Sequence, residues 1–187
     1  MTEADFSNPV HQLHAFTHRS ARQTHQLAKL LDEKRKSWSD VNVECAYASH
    51  AHSQFIVLNN FIHAVERIRS DQPALHAVMK RLCDLYALIT IEKELGQFTE
   101  DGFISGTQAG LVKGRVRALL KELKPDVIGL VDAFDFPDFL LNSALGRYDG
   151  KVYEGLYNWA LKEPLNQTKV VPGYAQNIRP MIKGSKL

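Results

Sequence analysis

Four histidines near the start of the chain have a spacing that could bind a metal ion. His11, His14, His18 and His25 are separated by three, four and seven residues, which places them along one face of a helix. A His pair four residues apart can chelate Zn²⁺, but a metalloprotease helix needs a Glu between the pair, and none lies between His14 and His18. No cysteine or carboxylate cluster completes a site. We therefore predict a polar, partly solvated helix face and no metal site.

Glycines recur every four residues at Gly102, Gly106, Gly110 and Gly114. A phosphate-binding Walker loop is excluded because the Lys-Gly-Arg around Gly114 lacks the required spacing and the Ser or Thr, and no strand precedes it. On one helix these glycines would form a strip that lets another backbone approach, so we predict close helix packing there. The chain also lacks a Gly-x-Ser-x-Gly elbow and a Gly-x-Gly-x-x-Gly turn, so it shows no recognisable catalytic motif.

Carboxylates alternate with aromatic residues in the second half of the chain. Asp132, Asp135 and Asp138 lie three residues apart among phenylalanines, and Arg147-Tyr148-Asp149 follows. An acid and base pair could be drawn from these carboxylates, but proton transfer would also need a pocket and a shifted pKa. We favour a structural role, in which Asp149 caps the next helix and Arg147 binds one of the aspartates through two parallel hydrogen bonds.

The distribution of helix breakers predicts the elements that carry these residues. Before Gly96 the chain has no glycine, and Pro9 and Pro73 are its prolines there, so this half is predicted to be helical. The predicted helices cover residues 10–36, 40–68, 73 to about 89 and 107–123, followed by short helices at 127–134, 139–145 and 152–161. No alternating strand pattern of useful length is visible. The sequence predicts an all-α bundle of long antiparallel helices with short C-terminal helices and an extended tail.

Three segments follow from this pattern. Residues 1–9 are predicted to be a flexible N-terminal segment, residues 10–163 the helical domain, and residues 164–187 an extended tail rich in proline and glycine. The apolar segment at 127–134 is predicted to be buried. So is an apolar stripe on the third helix, formed by Leu75, Val78, Met79, Leu82, Leu85, Tyr86 and Ile89.

Composition excludes several classes of function. The 187 residues carry 23 Lys and Arg against 21 Asp and Glu, a formal net charge of +2, so a surface that neutralises nucleic-acid phosphates is not expected. No apolar run approaches the roughly 18 residues of a membrane span, and no secretory leader is visible. Cys45 and Cys83 are predicted to be buried, reduced thiols, which suits a reducing compartment.

The last three residues match a targeting signal. Ser185-Lys186-Leu187 is the Ser-Lys-Leu tripeptide that a peroxisomal import receptor reads at a free C-terminus. Recognition requires an extended and uncovered terminus, which the proline- and glycine-containing segment from Pro172 to Gly184 is expected to provide. We therefore predict a location in the peroxisomal matrix.

A longer resemblance lies upstream of this signal. Three segments carry it: residues 130–136 (LVDAFDF), residues 145–154 (LGRYDGKVYE), and Trp159-Ala160 with Pro164-Leu165-Asn166. Together they resemble the C-terminal helical domain of peroxisomal acyl-coenzyme A oxidases. A weaker likeness at residues 48–52 and 82–86 extends the resemblance over most of the chain after about Asn8.

The resemblance implies an FAD-dependent oxidoreductase of fatty acid β-oxidation. In that family a carboxylate base removes the α-proton of the acyl-coenzyme A thioester, the β-hydride goes to flavin, and oxygen reoxidises the flavin to give hydrogen peroxide. The flavin domain and the base lie upstream of the matched domain, so no catalytic or FAD-binding residue is carried over, and Glu154 is not taken as the base. The implied role is to pack on the oxidase core or a second subunit, support the dimer and carry the import signal.

Two alternatives stay open at this stage. The chain is a piece or short isoform of an oxidase, inactive alone, or it is a free-standing helical protein that binds a peroxisomal partner without enzymatic activity. The polar start at residues 1–9, followed at once by a helix typical of the middle of a domain, favours the first. A severed domain should also expose the apolar face that meets its missing core.

Overall fold

The computed structural model describes residues 4–184, and every regular element in that range is helical. This confirms the predicted all-α fold. Short 3₁₀ turns lie at Ala4–Ser7, Trp38–Val41, Lys124–Asp126 and Pro164–Gln167, and a π turn at Tyr174–Ile178. The α-helices are α1 (Pro9–Asp32), α2 (Asn42–Arg67), α3 (Pro73–Lys93), α4 (Leu95–Thr99), α5 (Gly106–Leu123), α6 (Val127–Asp132), α7 (Asp138–Leu141), α8 (Val152–Lys162) and α9 (Arg179–Gly184).

The long helices begin where side chains can satisfy the free N–H groups of a first turn. Asn8 caps α1 by accepting a hydrogen bond from the backbone N–H of Val10 at 2.9 Å, and Pro9 takes the first position, where no N–H is needed. Ser105 and Gln108 form a reciprocal capping box at the start of α5. The predicted starts of α1 and α5 are therefore correct to within one residue.

The chain divides into two compact units, one ending at Gly129 and one beginning at Leu130. In the first unit, contacts between side chains fix the helix directions. Glu66 of α2 lies near His76 of α3, and Phe61 of α2 contacts Tyr86 of α3. The residue number falls along α2 as it rises along α3, so these two helices are antiparallel. The short connection between α1 and α2 makes that pair antiparallel as well. The expected antiparallel bundle of long helices is thus confirmed for this unit.

The core of the first unit lies between α1, α2, α3 and α5. Its largest fully buried side chains include Phe16, Leu58, Leu88, Phe98 and Leu119. Burying each such side chain contributes about 1.5–3 kcal/mol. The 3₁₀ turn at Ala4–Ser7 adds Phe6 to this core.

Two packing predictions in the first unit need correction. The predicted apolar stripe of α3 is confirmed in part, since Met79, Leu85, Tyr86 and Ile89 are half-buried and pack against the core, whereas Leu75 is exposed. The most deeply buried residues of α3 are Cys83, Asp84, Ala87, Leu88, Thr90 and Ile91. The glycine strip does not exist as predicted. Gly102 lies in a turn with a φ of +76°, Gly106 begins α5, and at none of the four glycines would an added Cβ meet a neighbouring atom within 4 Å. Asp84 is buried because it accepts a hydrogen bond from Gln12 of α1, and this turns its neighbour Cys83 inward as well.

The second unit is built from short helices and turns. The segment 127–134, predicted to be buried, begins in the first unit and continues into the second, and it is exposed at Ile128, Val131 and Phe134. The tail is more helical than expected, since Tyr174–Ile178 and Arg179–Gly184 form consecutive helical turns after Gly173, which takes a φ of +82°. The tripeptide Ser185-Lys186-Leu187 lies outside the described residues, as do residues 1–3.

Candidate functional site

A buried arginine organises the polar interior of the first unit. The side chain of Arg19 on α1 is 2% exposed, and each of its three guanidinium nitrogens has a partner. Its Nε donates to Gln97 Oε1 at 2.7 Å, its Nη1 to Gln54 Oε1, and its Nη2 lies 3.2 Å from Glu94 Oε2. Burial lowers the pKa of Arg19, and the charge of Glu94 opposes that shift. The planar guanidinium thus joins α1 to α2 and to the segment between α3 and α5.

The predicted histidine face of α1 takes part in the same joint. His18 Nε2 lies 2.7 Å from Asp101 Oδ2, and its ring stacks on Phe103 with centroids 4.1 Å apart. His14 meets Phe103 edge-on. Arg22 adds a bond from Nη2 to Glu100 Oε2 at 2.6 Å. These contacts give the face a structural role in holding the loop after α4. Within residues 4–184, no group of three His, Cys, Asp or Glu is placed to hold a metal ion.

A second group of polar contacts lies in the first turn of α1. Gln12 Nε2 donates to the backbone carbonyl of Phe6 at 2.8 Å and to Asp84 Oδ1 at 2.9 Å, and Lys80 Nζ reaches Asp84 Oδ2 at 2.8 Å. Because Asp84 must reach Gln12, the buried line of α3 includes Asp84 and its neighbour Cys83. Burial raises the pKa of Cys83 to about 12, with Asp84 adding to the rise, so this thiol is not a nucleophile at neutral pH.

An open cleft of about 410 Å³ lies beside the Arg19 network. Its walls carry the carboxylates Glu44, Glu94 and Glu100, the amides of Gln23 and Gln97, and Lys93 and Tyr47. No side chain here forms a nucleophile and base pair among the described contacts. The cleft is polar and predominantly acidic, and the neighbouring arginines are already paired with carboxylates.

The second unit brings the predicted aspartates and phenylalanines together. Asp132, Asp135 and Asp138 line a recess of about 410 Å³ with Phe134, Phe136, Tyr148 and apolar neighbours. The rings of Phe134 and Phe136 lie nearly parallel, with centroids 6.1 Å apart and 7° between their planes. Asp138 Oδ1 accepts from the backbone N–H of Tyr148 at 3.0 Å, which ties the two ends of the recess together.

Arg147 makes the predicted two-bond contact with an aspartate, and the partner is Asp149. Nε lies 2.9 Å from Oδ1 and Nη2 lies 2.5 Å from Oδ2. The hydrogen bond from Arg147, with one from the backbone N–H of Lys151, holds the pKa of Asp149 at about 2. Asp149 is not the helix cap that the sequence suggested, because α8 begins after Lys151. A Cβ at Gly155 would lie 3.2 Å from Arg147 Cδ, so Arg147 packs directly over this glycine.

The second unit also exposes an unusual amount of aromatic and aliphatic surface. Four of its side chains are at least 84% exposed: Phe139, Leu145, Tyr148 and Tyr153. Among the described residues of this unit, Ala144 is the buried apolar side chain. Exposed apolar surface on this scale is typical of a protein interface.

Comparison with known proteins identifies the family. The family model described as acyl-CoA oxidase matches residues 8–183. The chain belongs to the acyl-CoA oxidase family. It is 40% identical to peroxisomal acyl-coenzyme A oxidase 2 of Rattus norvegicus over 98% of this chain and 28% of that protein. It is 38% identical to peroxisomal acyl-coenzyme A oxidase 1 of Bos taurus over 92% of this chain and 27% of that protein.

Solved structures agree with this assignment. Acyl-CoA oxidase 1 of Arabidopsis thaliana aligns with a TM-score of 0.86 and 35% identity over 98% of this chain. Acyl-CoA oxidase-1 of Caenorhabditis elegans, solved with FAD and ATP, aligns with a TM-score of 0.84 and 29% identity over 95% of this chain. In both cases the match covers 28% of the solved chain. The chain therefore spans little more than a quarter of the oxidases it matches.

Acyl-CoA oxidases use FAD, but neither the cleft beside Arg19 nor the recess of the second unit has the groups that its pyrophosphate requires. A flavin dinucleotide needs helix N-termini or free cations for its pyrophosphate. The cleft beside Arg19 instead presents three carboxylates, and its arginines are already engaged. The recess in the second unit is acidic as well. No chemical step is therefore assigned to residues of this chain.

Proposed function

We propose that this chain is the C-terminal domain of an FAD-dependent acyl-CoA oxidase of peroxisomal fatty acid β-oxidation. The whole enzyme would convert acyl-CoA and O₂ to trans-2-enoyl-CoA and H₂O₂. The single observation that carries the proposal is the family match over residues 8–183, in a chain that spans about 28% of its oxidase relatives. The flavin and the proton-abstracting base belong to the remaining part of such an enzyme.

The role of this domain is to buttress the flavin-carrying core and the dimer. The exposed apolar side chains of the second unit support this role, because the motif segments at 130–136 and 145–154 contain several of them, including Phe134, Leu145 and Tyr153. In contrast, the first unit has a closed apolar core and paired buried charges. The second unit thus supplies the surface that another protein surface would cover.

The test is to produce the 187-residue chain alone and together with the upstream portion of a related oxidase. We expect the chain alone to show no flavin absorbance and no peroxide release with acyl-CoA. We expect the two parts to co-elute, and the upstream portion to gain thermal stability and acyl-CoA-dependent peroxide release when the chain is present. A mixture with an unrelated helical protein of similar size controls for crowding and non-specific contact.

Two results would contradict the proposal. Flavin binding and peroxide release by the chain alone would show that it contains its own redox chemistry. Failure to associate, with the upstream portion equally active without the chain, would favour the alternative of a free-standing helical interaction protein.

We further propose that Ser185-Lys186-Leu187 directs the protein to the peroxisomal matrix through the import receptor. The relatives named above are peroxisomal oxidases, which supports this location. A fluorescent protein fused to the N-terminus should be found in peroxisomes, and deletion of Leu187 should leave it in the cytosol. The experiment is done in cells without endogenous acyl-CoA oxidase, so that the fusion protein cannot enter peroxisomes while bound to such an oxidase. Unchanged import of the deletion variant in those cells would show that the tripeptide is not the signal.

A further inference from the structure

The recess in the second unit combines exposed, ordered aromatic rings with carboxylates. Phe134 is 71% and Phe136 61% exposed, yet their rings are held nearly parallel instead of turning inward. Their neighbours across the recess include Tyr148, Asp132 and Asp135. Aromatic faces carry negative charge density, so rings and carboxylates here attract the same kind of group, a cation.

Within residues 4–184, no cation pairs directly with the carboxylates that line the recess. Among the described residues, the side chains of Asp132 and Asp135 have no hydrogen-bond or ion-pair partner. Asp138 gives one oxygen to the Tyr148 N–H and feels the charge of Arg147. Arg147 itself donates hydrogen bonds from Nε and Nη2 to Asp149. The recess therefore has an excess of negative charge beside exposed aromatic rings.

We propose that this recess receives an arginine side chain from the rest of the oxidase. A guanidinium is planar, stacks on aromatic faces and donates two parallel hydrogen bonds to a carboxylate, whereas an ammonium is a compact and strongly hydrated charge. Arginine between aromatic and acidic neighbours is also typical of the residues that dominate interface energies. This inference rests on the proposed function, because nearly three quarters of a related oxidase lies outside this chain and supplies the partner surface.

The first experiment tests the chemistry of the recess on the chain itself. N-acetyl-arginine amide is titrated into labelled protein and followed by two-dimensional NMR, with the neutral isostere N-acetyl-citrulline amide as the matched ligand. We expect saturable shifts at residues 132–138 and 148 with the arginine compound and not with citrulline. The double variant Asp132→Asn/Asp135→Asn and the variant Phe134→Ala should each weaken this binding several-fold.

Matched variants separate recognition from general surface effects. Glu163→Gln removes an exposed carboxylate of the same unit, and Phe139→Ala removes an exposed ring that does not line the recess. Both should bind the arginine compound as the parent chain does. Equal shifts with citrulline, no saturable shift with arginine, or equal loss in the matched variants would overturn the proposal.

The second experiment uses the complex with the upstream portion of a related oxidase. We expect Asp132→Asn/Asp135→Asn to weaken association by about tenfold or more, since removing one partner of a covered charge pair raises the dissociation rate. Glu163→Gln should leave association unchanged. If the chain associates and both variants bind alike, the recess does not hold an arginine at the interface, while the proposed function stands. If neither the parent chain nor any variant associates with the upstream portion, the proposed function itself is wrong.

Discussion

The two units of this chain differ in how much of their apolar surface they enclose. Up to Gly129, large side chains such as Phe16, Leu58 and Leu88 are fully enclosed by the long helices. From Leu130 onward, side chains of the same kinds lie on the surface, Phe139 and Leu145 among them. The first unit encloses an apolar core of its own and leaves scattered side chains such as Trp38 exposed. The second unit encloses little and retains apolar area that is stabilised when another surface covers it.

The same contrast holds for charged groups. In the first unit, Arg19 reaches Gln54 on α2 and both Glu94 and Gln97 on the segment around α4. In the second, Arg147 pairs with Asp149, two residues further along. Long-range pairs fix the positions of helices relative to one another, while a local pair fixes one turn. The difference indicates a rigid scaffold in the first unit and a surface shaped by short-range contacts in the second.

The sharpest test of this comparison is one substitution made in both units. Leu88→Ala removes a fully buried side chain, so we expect the free energy of unfolding to fall by about 2–5 kcal/mol. Leu145→Ala removes a side chain that is 84% exposed, and we expect a change within about 0.5 kcal/mol. Urea denaturation followed by far-UV circular dichroism measures both values.

A similar loss in the two variants would break the comparison. It would mean that Leu145 is covered in solution by a second copy of the chain. Repeating the denaturation over a wide range of protein concentration then identifies this case, because the midpoint of an associated form depends on concentration.

The Arg19 network gives the next largest effect. Arg19→Met keeps the apolar stem and leaves the half-buried acceptors of Glu94 and Gln97 without their donor, which we expect to cost about 2–3 kcal/mol. Arg19→Lys should restore little, since one ammonium cannot reach three partners on different segments. As the matched change, Arg69→Met removes an exposed partner of Glu66 and should cost less than about 0.5 kcal/mol. Equal stability of the Arg19 variants would show that the network does not hold the scaffold together.

The helices of the first unit could be predicted because their signals are local. Pro9, Pro73 and Ser105 mark helix starts whatever packs around them. The buried face of α3 could not be predicted in this way. Asp84 and Cys83 face inward because Gln12, more than 70 residues away in sequence, provides a hydrogen bond to Asp84. Hydropathy predicts that an aspartate is exposed to solvent, and Asp84 is buried because it has a hydrogen-bond partner from another helix.

The candidate sites show the same limit. The Arg147–Asp149 pair could be predicted, because two residues of separation leave few other partners. The Arg19 network could not, since its members come from residues 19, 54, 94 and 97, and no sequence spacing connects them. The exposure of 127–134 was also missed, because an apolar segment that meets a partner has the same composition as one that meets its own core.

The smallest expected effect concerns the local pair of the second unit. The pKa of Asp149 is held at about 2, mainly by Arg147, against about 3.9 in an unfolded chain. A lowered pKa means that the ionised carboxylate favours the folded turn above pH 4, and that this contribution is lost as the pH falls toward 2. Carboxyl ¹³C shifts should show Asp149 titrating near 2 in the parent chain. In Arg147→Gln the pKa should rise part of the way to its ordinary value, because the hydrogen bond from the Lys151 N–H remains.

The matched measurement follows the first unit in the same samples. Because the pair is local and lies at the surface, Arg147→Gln should leave the amide shifts of α1 to α3 and the urea midpoint of their unfolding unchanged at pH 7. A shift that spread into the first unit would show that the two units are energetically coupled through this turn. The contrast between a long-range scaffold and a locally held surface would then have to be replaced by a single cooperative structure.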